Sequence, residues 1–270
     1  MISVIIPAHN EEQLIGRCLD ALLRSGPSPI EIIVVCNGCQ DRTAEVARSY
    51  GRPVSVIETS EPGKAQALNL GDRAAQGFPR VFLDADIELE GSALNELIAA
   101  LGQPGVLAAT VERQLDLSGC SWVVRSHYRA RSRCAYPDHL VGRGVYALSE
   151  LGRSRFGAFP PLLGDDLFVQ RLFRPEECAT VTGHRVTVRP PVTARDLVRV
   201  KTRVAAGNLE QRRLDRPGHG TAPGWGLVRA NLWPPHLVDL AVYVTTAGLA
   251  RFRARAQLRA GGGRWETARP

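Results

Sequence analysis

No apolar run in these 270 residues approaches the roughly 20 needed to span a bilayer, which argues against an integral membrane protein. The start lacks a basic stretch followed by an apolar one, since Met1 leads directly into the strand-like ISVIIP. That pattern argues against secretion and for reduced thiols, and so for a cytoplasmic setting. The six cysteines (18, 36, 39, 120, 134 and 178) show no repeated spacing. Cys36-Asn-Gly-Cys39 has no second Cys-x-x-Cys to complete a zinc site; a thioredoxin-like pair following a strand stays open as an alternative. No internal repeat is present. The basic surplus is confined to one end and lacks interleaved aromatics. After position 194 there are fourteen Arg/Lys against five Asp/Glu. That surplus of nine exceeds the net charge of +7, so residues 1–194 are slightly acidic. Both features argue against nucleic acid as a partner.

What is present is an ordinary globular composition, 44% hydrophobic and 23% charged, with ample length for a core. Ile2–Ile6, Ile30–Val35, Val54–Ile57 and Val81–Leu83 read as short buried strands bounded by turn residues. Between them Glu11–Arg24, Asp41–Tyr50 and Lys64–Ala75 have helical spacing, and Ser92 is placed to cap a helix ending at Leu101. Alternation of this kind predicts an α/β fold, a doubly wound and mostly parallel sheet of the Rossmann-like type. Ligands of such sheets sit outside the carboxyl ends of the strands. Further on, a strand at Val106–Val111, a helix at Cys120–Ala135, a strand at Val141–Leu148 and a loop at Leu151–Pro161 are expected. Asp165 and Asp166 open another helix, a strand pair follows around Ala179–Val188, and Arg195–Arg213 is a basic helix. Residues 216–235 read as a linker, and His236–Ala260 as a segment with an apolar and a basic half.

The segment RVFLDADIELE at 80–90 carries the first chemical signal. Side chains alternate along a strand, so Asp84 and Asp86 would leave one side of the strand end together. Two such carboxylates suit Mg²⁺ or Mn²⁺, whose shell is completed by water and substrate phosphates. A calcium loop fits worse, because Leu89 and Asn95 stand where Gly and Glu are needed.

Four patterns stand in order, SVIIPAHNEE at 3–12, VVCNGCQDRTAEVAR at 34–48, GKAQALNLG at 63–71 and FLDAD at 82–86, with GDDLFVQRL following at 164–172. In this order, over about residues 1–215, the chain resembles the family 2 glycosyltransferases, inverting enzymes with the A-type nucleotide-diphospho-sugar transferase fold. The resemblance implies transfer of a single sugar, of hexosyl type, from a nucleotide-diphospho-sugar to an acceptor hydroxyl in cell-envelope or polysaccharide assembly. The acceptor would be a glycan, a lipid-linked or a small-molecule intermediate. It assigns Pro7, Ala8, Asn10 and Glu11 to the loop holding base and ribose, and Asn37 and Asp41 to the second nucleotide loop. Lys64 falls near the phosphates. Asp84, with Ala85, falls at the ribose or the metal, and Asp86 at the metal. Gly142-Arg143-Gly144 with Tyr146 resembles the strand lining the acceptor pocket. In Asp165-Asp166, the first residue matches the acid on the acceptor side and Asp166 the general base. The alternative for Asp166 is a helix N-cap, and for Lys64 a solvated lysine at a helix start. Residues 1–110 then form a nucleotide-sugar-binding half, 111–215 an acceptor and base half of the same domain, and 216–270 a linker with a basic helical tail.

Two departures matter. Cys36 stands where the family commonly has an Asp, which removes an acceptor for a uracil N–H; a uridine diphosphate sugar leads and a guanosine one stays open. The segment Val200-Lys-Thr-Arg203-Val204 lacks the Gln and Trp of the processive signature, which favours single transfer. Two other classes remain. A non-catalytic nucleotide-sugar-binding regulator could lose the base, and Asp165-Asp166 argues against it. An NAD(P)-dependent oxidoreductase would need Gly142-x-Gly144-x-x-Ala147 between a strand and a helix, whereas it lies inside a strand-like run. Arginines 251, 253, 255 and 259 beside an apolar stretch allow peripheral contact with the inner face of a membrane, or a packed helix with solvated arginines.

Overall fold

The computed structural model describes residues 1–133, 140–162, 164–213 and 225–259. Two compact units emerge, one of Met1–Gln114 with His139–Val188, the other of Leu115–Asp138 with Arg189–Pro270. The division follows contacts rather than chain order, so segment 111–215 contributes to both units.

The first unit holds strands β1 (Ile2–Ala8), β2 (Ile30–Asn37), β3 (Val54–Thr59), β4 (Arg80–Leu83), β5 (Ala108–Leu115), β6 (Val145–Leu148) and β7 (Cys178–Val188). Its helices are α1 (Ile15–Leu23), α2 (Thr43–Arg48), α3 (Lys64–Ala74) and α4 (Gly91–Leu101), then α6 (Glu150–Arg153) and α7 (Asp165–Gln170). The other unit holds α5 (Trp122–Ser132), α8 (Ala194–Arg213), α9 (Trp225–Ala230) and α10 (Leu237–Arg259). One seven-stranded sheet runs β3-β2-β1-β4-β6-β5-β7. β3, β2, β1 and β4 are mutually parallel, and β6 is antiparallel to both β4 and β5.

The apolar runs form strands because both faces of the sheet are covered. Val4 and Ile6 of β1, Val34 of β2 and Val81 and Leu83 of β4 pack with α1, α2 and α4. The intervening Ile5, Ile33, Val35 and Phe82 pack with Ala67 and Leu68 of α3 and with Phe159, Phe168 and Phe173. This period of two fixes which carboxyl-end residues reach the rim.

Several expected elements take another form. The strand at 141–148 begins only at Val145, because Gly142 and Gly144 adopt φ of +69° and +70° and fold the preceding residues into a turn. The strand pair around 179–188 is one continuous strand, β7. The loop from Leu151 begins inside helix α6. Ser92 does not cap α4: Glu90 holds that position, and Ser92 Oγ instead meets His184 Nε2 at 2.9 Å. The strand β4 ends at Leu83, so strand alternation does not govern Asp84 and Asp86; they lie in a turn closed by the Ile87 N–H on the Asp84 carbonyl, 3.1 Å. The linker expected at 216–235 contains α9; its stretch up to residue 224 lies outside the described residues.

In the second unit α10 packs on α5 and α8. His127 Nδ1 and Thr246 Oγ1 share a hydrogen bond at 2.8 Å, and burial pushes the His127 pKa down to about 3, so the ring is neutral. Asp239 accepts from Arg129 and Arg133, which hold its carboxyl down at about 2.

One charge cluster ties three elements of the first unit. The buried Asp72 carboxylate on α3 accepts from Arg80 on β4 and, at 2.6 Å, from Arg153 on α6, both guanidiniums being only 14% exposed. Removing one partner of such a group strands the rest in a poorly solvated place. Asp72→Ala is therefore expected to lower the unfolding free energy by about 3 kcal/mol. Urea denaturation reads this directly, and a loss below about 1 kcal/mol, the scale of an exposed pair, would mean that water reaches both guanidiniums.

Candidate active site

The carboxyl ends of β1, β2 and β4 bring three loops of the first unit to one rim. Asn37, fully buried at the end of β2, donates from Nδ2 to the Ala8 carbonyl at 2.7 Å and accepts at Oδ1 from the Gly63 N–H at 3.0 Å. His9 Nδ1 donates to the Asn37 carbonyl at 2.6 Å. Asn10, in the left-handed region at φ 55°, accepts from the Gln40 N–H at 2.8 Å. The Glu11 N–H donates to Thr43 Oγ1 at 2.8 Å, and the Glu12 N–H to Asp41 Oδ2 at 3.1 Å. Asp41 also takes the Thr43 N–H at the start of α2 and sits below the usual carboxylate range; burial opposes that shift, and the Thr43 hydroxyl leads the bonds that produce it. Among the residues expected to meet the nucleotide, Asn10 is exposed, whereas Pro7 and Ala8 are buried within β1 and Asn37 spends its amide on backbone. Asn37 thus braces the loops from inside.

Cys36 is buried against Cys39, and both thiols are free. Cys39 is pulled down to about 6 by its bond with Cys36, with the Asn10 N–H assisting, while that same bond pushes Cys36 up.

The second cluster joins residues far apart in sequence. Lys64, the first residue of α3, places Nζ 2.6 Å from Asp84 Oδ1 and 2.8 Å from Asp165 Oδ1. It is therefore not a solvated helix-start lysine. The other oxygen of Asp165 accepts from the Tyr146 hydroxyl at 3.0 Å, and the Tyr146 ring, buried in β6, stacks on Phe82 at 5.1 Å. Asp166 turns elsewhere: Oδ2 accepts from the Gly142 N–H at 2.7 Å and Oδ1 from the Leu167 N–H at 2.8 Å. It is not the N-cap of α7, a position held by Gly164 at φ +100°. The turn before β6 presses close to the aspartates. Asp84 donates its N–H to the Gly144 carbonyl at 2.8 Å, and a Cβ on Gly144 would stand 2.5 Å from Ile87 Cγ1 and 3.3 Å from Asp84 Oδ2. Only glycine fits there at positive φ. Arg143 donates to the Val111 carbonyl at 2.9 Å.

The electrostatics follow from this crowding. Desolvation, with the negative charges of Asp165 and Asp86, pushes Asp84 up to about 6 against the pull of Lys64. Desolvation and then Asp165 raise Asp166 as well. Burial works against the Lys64 charge, yet Asp165 and Asp84 hold its pKa above the ordinary lysine value. Burial, then Asp165, raises Tyr146, which stays a hydrogen-bond donor.

Asp84, Asp86, Asp165 and Asp166 set four carboxylates against the Lys64 ammonium, an anionic surplus suited to a cation. Among the described residues no group of three or more His, Cys, Asp or Glu side chains could hold a metal by itself. A cation that shares its shell with a diphosphate needs only one or two protein carboxylates, and Asp84 with Asp86 supplies that number. Lys64 takes one oxygen of Asp84, and the side chain keeps 38% of its surface open. The donor set fits a cation completed by substrate.

Sequence reasoning missed the Lys64–Asp165–Tyr146 linkage and the inward role of Asn37. The Gly-Lys pair was the available signal for the first; for the second, sequence offered none.

Comparisons with known proteins agree with this fold. A solved mannosyltransferase from Pyrobaculum calidifontis, in complex with GDP-Man and Mn²⁺, superposes with a TM-score of 0.62 at 22% identity, covering 96% of this chain and 79% of that one. Glucosyl-3-phosphoglycerate synthase from Mycobacterium tuberculosis, in complex with Mn²⁺ and UDP-glucose, gives 0.57 at 21%, covering 78% of each chain. At these identities the likeness is one of fold. Among curated relatives, the uncharacterized glycosyltransferase EpsJ of Bacillus subtilis is 33% identical over 154 residues, 56% of this chain and 41% of that protein. The 4,4'-diaponeurosporenoate glycosyltransferase of Staphylococcus aureus is 30% identical over 169 residues, 60% of this chain and 42% of that protein. The matched stretch thus spans about two fifths of these relatives. Residues 3–146, more than half of the chain, match the family described as Glycosyl transferase family 2, and the chain belongs to that family.

Proposed function

We propose that the chain transfers a single hexose, with inversion, from a nucleotide-diphospho-sugar to an acceptor hydroxyl, with Asp166 as general base. A uridine diphosphate sugar is the first donor to test and a guanosine one the second. The acceptor is a glycan, a lipid-linked or a small-molecule intermediate of cell-envelope or polysaccharide assembly, met in the cytoplasm. On this reading residues 1–110 serve the donor and 111–215 supply the acceptor side and the base. The loop of Pro7, Ala8, Asn10 and Glu11 cradles base and ribose, braced by Asn37 and Asp41, with Asp84 and Ala85 beside the ribose. Arg143, Gly144, Tyr146 and Asp165 border the acceptor.

The observation that carries the reading is the position of Asp166. Two backbone N–H groups aim its carboxylate, and desolvation raises its basicity beyond that of an ordinary carboxylate. In the reaction Asp166 takes the acceptor hydroxyl proton while that oxygen attacks the anomeric carbon. The bond to the diphosphate breaks on the opposite face, which inverts the centre. A divalent cation, Mg²⁺ or Mn²⁺, held by Asp86 and Asp84 would neutralise the departing diphosphate. Lys64 keeps Asp84 and Asp165 in place beside it.

A panel of nucleotide-sugars assayed with Mn²⁺ or Mg²⁺ for diphosphate release, alongside isothermal titration, tests this directly. Asp166→Asn is expected to bind donor normally and to lose transfer about 100-fold or more. Normal turnover in that variant would remove Asp166 as base, and donor binding without metal-dependent release in the unaltered chain would sink the transferase reading.

The pH profile tests the electrostatics. A base and a cation-binding carboxylate act only when ionised, so kcat/KM falls as pH drops through their pKa values. The Lys64 charge lowers those of Asp84 and Asp166, so Lys64→Met should move the acid limb to higher pH. A limb that stays put or moves down would contradict the pairing.

A further inference from the structure

The second unit has a surface to which the proposed transfer assigns no role. Helix α10 buries Asp239, Thr246, Ala250 and Ala254. Its opposite side faces solvent and is apolar for about four turns, with Leu237, Val238, Val244, Leu249 and Phe252 exposed; Trp233, just before the helix, extends the strip. Phe252 is 72%, Trp233 68% and Val238 63% exposed. From Leu240 to Ala250 the helix carries no charge, and Asp239 is neutralised by Arg129 and Arg133. Contiguous exposed apolar surface of this kind marks an interaction site.

The last turns of the helix identify the partner. Arg251, Arg253, Arg255 and Arg259 are all exposed. At about 100° per residue, Arg251, Arg255 and Arg259 fall on the same side as Val244 and Phe252. The solvent side of one helix thus passes from apolar to cationic. The whole unit carries nineteen Arg/Lys against seven Asp/Glu.

We propose that the outer side of α10 lies in the headgroup region of an anionic bilayer, Trp233, Val238 and Phe252 entering the acyl boundary and the terminal arginines meeting lipid phosphates. The helix rests on the bilayer and does not cross it, since no described helix is long and apolar enough to span one. A second copy of the chain fits the strip poorly. The acid within α10, Asp239, is buried and paired, leaving the arginine row without an opposite charge in a helix-to-helix contact. Nucleic acid fits poorly as well, because between Trp233 and Phe252 the exposed large side chains are aliphatic (Leu237, Val238, Val244 and Leu249) and offer bases nothing to stack on.

Flotation of the full chain with phosphatidylcholine vesicles, with and without phosphatidylglycerol, tests it. Recovery is expected only with phosphatidylglycerol and should fall as salt rises from about 0.1 M to 1 M, over which the Debye length shrinks from about 10 to 3 Å. Each arginine near the surface contributes roughly fivefold to partitioning, so Arg251→Gln, Arg255→Gln and Arg259→Gln together should reduce it at least about tenfold. Phe252→Ser with Trp233→Ser should do so with an unchanged thermal melt, since both side chains are exposed. Equal recovery on both vesicles, no recovery, or variants that bind like the unaltered chain would overturn the proposal. So would a concentration-dependent doubling of mass abolished by Phe252→Ser, or retention on tRNA without vesicle binding.

Discussion

The Lys64 ammonium between Asp84 and Asp165 is the contact on which the rim depends. It fastens the first residue of α3 to the turn after β4 and to the first residue of α7, three places that the chain reaches 20 and 101 residues apart. A partly buried ion pair adds little net stability, because desolvation consumes most of the Coulomb gain. Its value is geometric. Displacing one element separates a charge from its partner, so the contact holds the three loops in register. Tyr146 reinforces this from below, using the remaining oxygen of Asp165 while its ring is fixed on Phe82 of the neighbouring strand.

The same contact separates two adjacent aspartates. Successive residues of a helix point about 100° apart, so Asp165 and Asp166 cannot share an environment. Asp165, 9% exposed, faces inward to Lys64 and Tyr146. Asp166 faces the Gly142 turn, where two backbone N–H groups orient it without supplying a full positive charge. The negative charge of Asp165, held beside the Lys64 ammonium, helps to raise the affinity of Asp166 for a proton. In the proposed transfer, Asp165 is the orienting acid and Asp166 the proton acceptor.

The parts of this structure that local pattern controls were legible in the sequence. β1 to β4 and α1 to α4 come from apolar runs between turn signals, and burial on both faces of the sheet makes those runs continuous. The turn before β6 was not legible, since Val141 and Val145 bracket it like one strand; two glycines at positive φ break the pattern, and composition does not report φ. β7 hid for a related reason: the segment Ala179–Val188 reads as a strand pair, yet it is one strand with Gly183 inside it, the Glu96 carboxylate filling the place a Cβ would take. α9 was masked by the Pro/Gly-rich stretch around it. At the site, the five motifs located the rim but not the direction of its side chains. Whether Asn37 faces a ligand or the backbone of Ala8 and Gly63 depends on the packing of β2 against two other loops, which no local window contains.

Charge shows the same limit of averages. A pI near 9.4 describes neither unit of this chain. The unit with the sheet has fifteen Arg/Lys against twenty Asp/Glu and gathers four of those acids at one rim. The helical unit has the opposite balance, and its acid Asp239 is consumed internally by two arginines. An acidic rim attracts a cation and, through it, a phosphorylated donor. A basic helical face next to exposed apolar side chains attracts an anionic surface instead. A single net charge of +7 would have suggested one polyanionic partner for the whole molecule, whereas the distribution suits the two unlike ligands proposed above, each matched to the unit whose charge it neutralises.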